Sequence, residues 1–125
     1  MKNIKMREET EKWLKSARED LRKAEDNFKI KNYDLSSFLC QQTVEKALKA
    51  MLIEKTGKFP KIHDLIRLGK LIKIDKNLLE GCEKLTYVYT ETRYPDTGER
   101  EYTKEESKED IMIAKNILKW IIKKI

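Results

Sequence analysis

Asp34-Leu-Ser-Ser-Phe-Leu-Cys-Gln-Gln-Thr-Val-Glu-Lys-Ala-Leu-Lys-Ala-Met-Leu-Ile-Glu-Lys-Thr56, closed by Gly57, reads as a single helix. Asp34 is a residue type that caps helix N-termini, and Gly57 supplies the left-handed turn that ends them. Cys40, Val44, Ala47, Leu48 and Met51 share one face, while Leu35, Phe38 and Leu39 lie largely outside it. A helix apolar on two faces sits at the centre of a bundle or is covered by a second subunit. One strip stays polar: Gln42, Glu45, Lys46 and Lys49. It is either a solvated face laced by i,i+4 pairs or a binding surface.

The flanking segments are helical too. From about Arg7 to Phe28, Trp13, Leu14, Ala17, Leu21, Ala24 and Phe28 recur at spacings of three and four, with charged residues opposite. A short helix from about His63 to Ile72 carries Leu65, Leu68 and Ile72, with Asp64 in its first turn, where the helix dipole favours a carboxylate. Leu78, Leu79, Cys82, Leu85 and Tyr89 give a fourth helix from about Lys76 to Thr92, before Pro95 and Gly98 break the chain. Thr103-x-x-Glu106 is a capping-box signature for the last helix. Its core stripe is Ile111, Ala114, Leu118, Ile121, Ile122 and Ile125, and Ile113, Ile117 and Trp120 to one side suggest a second contact surface for a homodimer. The expected fold is all-α: an antiparallel up-and-down helical bundle of four long helices plus one short helix, a single domain over 1–125 with its core at about 7–124.

Composition narrows the function. Charged residues make up 40% of the 125, and 28 basic against 22 acidic side chains give a net charge of +6. The charges of both signs are interspersed, so the excess speaks to solubility and anionic partners rather than to a basic arm. No run reaches the roughly 18 apolar residues of a membrane span. No secretory leader follows the first residues, and two cysteines without ligand or framework spacing, Cys40 and Cys82, fit a cytoplasmic setting with buried thiols. Abundant Lys, Glu and Ile with few Gly hint at a thermophile.

No phosphate-cradling, dinucleotide, nucleophile-elbow or HExxH motif occurs, and the lone histidine, His63, makes no familiar metal site. No cofactor is implied. The most unusual stretch, Tyr87 to Tyr102, holds four of the five tyrosines and two of the six arginines. Arg93 offers a planar fork for phosphate and Tyr94 a ring for stacking, which suits a nucleotide or single-stranded RNA. The alternative is that Arg93 pairs with a carboxylate while Tyr94-Pro95 shapes a turn. His63 beside Asp64 either orients a proton-transfer group or satisfies backbone groups at a helix entry.

Trp13-Leu-x-x-Ala17-x-x-Asp20-Leu21-x-x-Ala24, Tyr33 to Phe38, Gln41-Gln-x-Val-Glu-Lys-Ala-Leu-Lys-Ala50, His63-Asp-Leu-x-x-Leu68, Arg93-Tyr-Pro-Asp96 and the Ala114-containing last helix appear in this order. Together they resemble a HEPN domain (higher eukaryotes and prokaryotes nucleotide-binding) of the small stand-alone prokaryotic type, over residues from about 10 to 124. The resemblance implies a helical bundle that forms a homodimer with a groove between subunits, works with a minimal nucleotidyltransferase in a toxin–antitoxin-like pair, and binds nucleotide or RNA. It places Arg93, Tyr94, Lys46, Lys49, Gln42 and Glu45 at a phosphate-binding site. RNA-cutting members carry Arg followed four to six residues later by His. Here residues 56–58, ahead of His63, are Thr, Gly and Lys, and no His follows Arg93. A binding module is therefore the expected function. The alternatives are a metal-independent endoribonuclease using His63 and Arg93, or a purely structural interaction module.

Overall fold

A computed structural model of the chain describes residues 6–58, 61–88 and 101–125. These residues form five helices: α1 (Glu8–Lys29), α2 (Tyr33–Thr56), α3 (Leu65–Leu71), α4 (Lys76–Thr86) and α5 (Lys104–Lys124). The fold is all-α, as the periodicity requires. α1 and α2 form an antiparallel hairpin, α5 packs along both, and α3 with α4 makes a smaller hairpin against α2. α2 touches all four other helices, which is why it is apolar on more than one face.

Each helix end has a local cause. The α1–α2 turn places Lys31 at φ 64°, and the Lys31 and Asn32 amides bond back to the Phe28 and Asn27 carbonyls at 3.0 and 2.8 Å. Gly57 ends α2 at φ 72°, in the left-handed region that a side chain resists, and its amide reaches the Ile53 carbonyl at 2.7 Å. The Asp64 carboxylate caps α3 through the Ile66 and Arg67 amides, at 2.9 and 3.3 Å. The Thr103–Glu106 capping box opens α5. Glu54, in the last turn of α2, ties down the start of α1 by accepting from the Arg7 amide and the Thr10 hydroxyl at 3.1 and 2.9 Å.

The differences from the sequence reading are local. The N-cap position of α2 is Asn32 rather than Asp34, which sits in the first turn. Asp64 caps α3 from outside instead of lying within it. α4 is 11 residues long and ends at Thr86, and residues 89–92 of the expected fourth helix lie outside the described residues. On α5, Ile117 is fully buried although its spacing sets it beside the stripe, and Ile122 is exposed although its spacing sets it on the stripe. The cause is that α5 wedges between α2, α1 and α4, so its buried arc is rotated toward Ile117.

Leu48, Leu65, Leu68, Leu85, Ile117 and Ile121 are among the fully buried side chains. Each contributes about 1.5–3 kcal/mol by leaving water. Gly81 brings α4 close to α5: a Cβ there would lie 2.6 Å from Ile113 Cγ2. Cys40 and Cys82 are free and buried. Burial pushes the Cys82 thiol up to about 12, and raises Cys40 well beyond the ordinary thiol range, with the charges of Asp110 and Glu25 adding to the effect. Both are held as inert thiols. No helix among the described residues is long and apolar enough to cross a membrane.

Candidate functional site

The polar strip of α2 is not a solvated face. Glu45 is 8% exposed and Lys49 2% exposed. Helical spacing places Gln41, Glu45 and Lys49 one above another, so that both neighbours reach the carboxylate between them. Glu45 Oε1 accepts from Gln41 Nε2 at 3.2 Å, and Oε2 accepts from Lys49 Nζ at 3.0 Å. The Lys49 ammonium also lies 5.9 Å from the centre of the Trp13 ring on α1. Burying an ammonium is tolerable only with such partners, and here a carboxylate and an aromatic ring meet it from two helices.

The third donor to Glu45 comes from outside the helix. His63 immediately precedes the α3 cap, and its Nδ1 lies 2.9 Å from Glu45 Oε2. The imidazole itself is 80% exposed. In the neutral ring, the carboxylate selects the tautomer with the proton on Nδ1, which leaves Nε2 as the acceptor. A buried acid behind an exposed imidazole fixes both its tautomer and its orientation. The residues that sequence reasoning singles out separately as a strip and as a helix-entry histidine thus belong to one network.

Gln42 extends this network, donating from Nε2 to Gln41 Oε1 at 2.6 Å. Lys46 belongs to a neighbouring one. It crosses to α1, where its ammonium meets Asp20 Oδ2 at 2.7 Å and Ser16 Oγ at 2.8 Å. Arg93 and Tyr94 lie outside the described residues. Among the described residues, no cluster of His, Cys, Asp and Glu is placed to hold a metal ion.

Gln41, Asp20, Ser16 and Trp13 are site residues that sequence reasoning misses. Two of them carried a signal. Asp20 falls on the α1 stripe with Trp13, Ala17 and Ala24, where a carboxylate needs a buried partner, and it is 8% exposed. Gln41 precedes Glu45 by one helical turn and is 1% exposed.

The chain is 32% identical, over 126 aligned positions, to a protein of Methanocaldococcus jannaschii named "Putative toxin MJ1304", spanning 87% of this chain and 83% of that one. The crystal structure of TT1696 from Thermus thermophilus superposes with a TM-score of 0.86 at 28% identity, covering 93% of this chain and 98% of that one. The structure of ST0689, an archaeal HEPN homologue, superposes with a TM-score of 0.79 at 30% identity, covering 97% and 98%. The HEPN domain family model matches residues 10–125, and this makes the chain a member of the HEPN family.

Proposed function

We propose that this chain is one half of a toxin–antitoxin-like pair: a homodimeric module that holds the phosphates of a nucleotide or RNA and works with a minimal nucleotidyltransferase. The observation that carries the reading is the buried Gln41–Glu45–Lys49 line ending in the exposed His63, in a HEPN chain 32% identical to a protein named as a toxin. A carboxylate gathering three donors is costly to bury for packing alone. In this reading Arg93 grips phosphate and Tyr94 stacks or shapes the loop. Lys46 adds positive charge, Gln42 reads a base edge or ribose hydroxyl, and Glu45 with Lys49 acts from behind by fixing His63 and Trp13.

Calorimetric titration of ATP, GTP and short RNA into the wild type and Arg93→Ala tests the binding. Loss of binding in the variant supports the assignment, and unchanged binding removes Arg93 from the site. Light scattering tests the dimer, and co-purification with a nucleotidyltransferase encoded beside this chain tests the partner. A second reading, a metal-independent endoribonuclease, draws on one specific feature: the exposed His63 ring is oriented by Glu45, as a proton-transfer group requires. RNA cleavage in EDTA that disappears in His63→Ala would favour it.

A further inference from the structure

We infer that the groove between the end of α1 and α5 docks an acidic protein segment, one that inserts an apolar side chain and sets carboxylates beside it. The groove encloses about 230 Å³. That is below the roughly 300–1,000 Å³ of pockets that enclose a small molecule, and it suits a single anchoring side chain. Its apolar lining is Phe28, Ile111 and Met112, and its charged lining is Lys29, Lys108 and Lys115 with one acid, Glu25. It shares no residue with the Gln41–Glu45–Lys49–His63 network, so the inference does not depend on the phosphate-binding reading.

Helical spacing builds the groove. On α5, Lys108, Met112 and Lys115 fall on one face, at i, i+4 and i+7, and on α1 Glu25 and Lys29 are one turn apart. Ile111 is buried, and the Phe28 ring packs 5.6 Å from that of Tyr33, whereas Met112 is 56% exposed. A methionine held largely in water is adaptable apolar surface, the kind that takes up partner side chains. The cations are available too. Lys115 meets Glu25 at 3.2 Å in a half-exposed pair, and Lys29 and Lys108 form no ion pair among the described residues. Charge then decides the occupant. Three ammonium groups against one carboxylate, itself taken by Lys115, select an acidic segment. A second copy of the chain docked through the same face would set these lysines against their own counterparts, a like-charge pairing that disfavours it. Nucleic acid would use the lysines and leave Met112 and Ile111 unmatched, since a phosphate backbone offers charge but no apolar anchor.

The test uses the full chain and, as probe, a random peptide library displayed on phage. Peptides enriched on the wild type are expected to carry an apolar residue flanked by Asp or Glu. Labelled copies of them, titrated by fluorescence anisotropy, should bind on the order of tenfold more weakly to the double variant Lys29→Glu, Lys108→Glu and to Met112→Ser, the loss that two exposed ion pairs or one half-buried apolar contact account for. Replacing the acids of the peptide with Lys should restore binding to the double variant, which damage to the fold would not do. All three positions are exposed, and circular dichroism verifies that the variants fold. No enrichment, enriched peptides without acids, or equal affinity for the variants overturns the docking site. A short labelled RNA that loses affinity for the double variant while the peptides do not assigns the face to nucleic acid, and a change of mass by light scattering in Met112→Ser assigns it to a second copy. Either result overturns the inference as well, and none of them bears on the Arg93 titration that tests the phosphate site.

Discussion

Two of the lysine–carboxylate pairs among the described residues, Lys49–Glu45 and Lys84–Asp110, are built differently. On the α1–α2 side, Glu45 receives directed bonds from Gln41, Lys49 and His63, and the network reaches the surface through an imidazole that is 80% exposed. On the α4–α5 side, Asp110 is 1% exposed, and its Oδ1 lies 3.3 Å from Lys84 Nζ without a well-aligned hydrogen bond. Nearby, Ser107 donates to the Tyr33 carbonyl at 2.7 Å. The Ser37 and Ser107 hydroxyls also lie 2.9 Å apart. Burial accordingly raises the Asp110 carboxyl above its ordinary value of 3.8, against the opposing pull of Ser37 and Lys84. A fully satisfied network with an opening to solvent positions a reactive group. One lysine shared between Glu109 and Asp110 ties α4 to α5.

The largest effect that would break this contrast is at Glu45. Replacing it with Ala leaves Lys49 buried without its carboxylate and should cost about 3 kcal/mol in a denaturant titration. A double-mutant cycle with Lys49→Met should recover a large part of that loss, because the uncompensated charge goes with the lysine. Next is the α4–α5 interface. Gly81→Ala forces Ile113 aside, and the overpacking, about 1–3 kcal/mol, outweighs the helix-propensity gain of about 1 kcal/mol. A lower melting temperature with unchanged nucleotide binding would separate clamp from site.

Asp110 sharpens the comparison through pH. Its folded pKa is raised, so its contribution to stability is complete below 3.8 and is lost as pH rises through the folded value. Asp110→Asn does not titrate. The variant should therefore gain on the wild type from about pH 4 upward, with a slope no steeper than about 1.4 kcal/mol per pH unit. Parallel stability curves would show that the carboxyl titrates alike in folded and unfolded chains. The smallest stability effect is expected at His63. With its ring mostly in water, His63→Gln should change stability by less than about 1 kcal/mol, while ligand binding or turnover falls. A larger loss of stability would make His63 a tether of the α2–α3 connection and nothing more.

The helices were legible because their signals are local. The stripe of Trp13, Ala17 and Ala24, the glycine after Thr56 and the Thr103–Glu106 box each state their structure within a few residues. Ile117 and Ile122 were misplaced because periodicity gives the width of a buried arc, whereas its rotation is set by which neighbours the helix wedges between. The polar strip was legible as a strip, but its burial was not. Gln42, Glu45, Lys46 and Lys49 are the same residues whether water or α1 covers them.

Sequence alone determined the helical class, the order of the segments, the family resemblance and the absence of an Arg followed four to six residues later by His. Only the tertiary structure decided that Glu45 joins His63 to Lys49, that Lys46 belongs to Asp20 and Ser16, and that Phe28 and Met112 border one groove. The reason is physical. Helix signals arise from neighbours three and four residues apart, but a site is assembled from groups 18 to 36 positions apart in sequence, whose meeting depends on how whole helices pack.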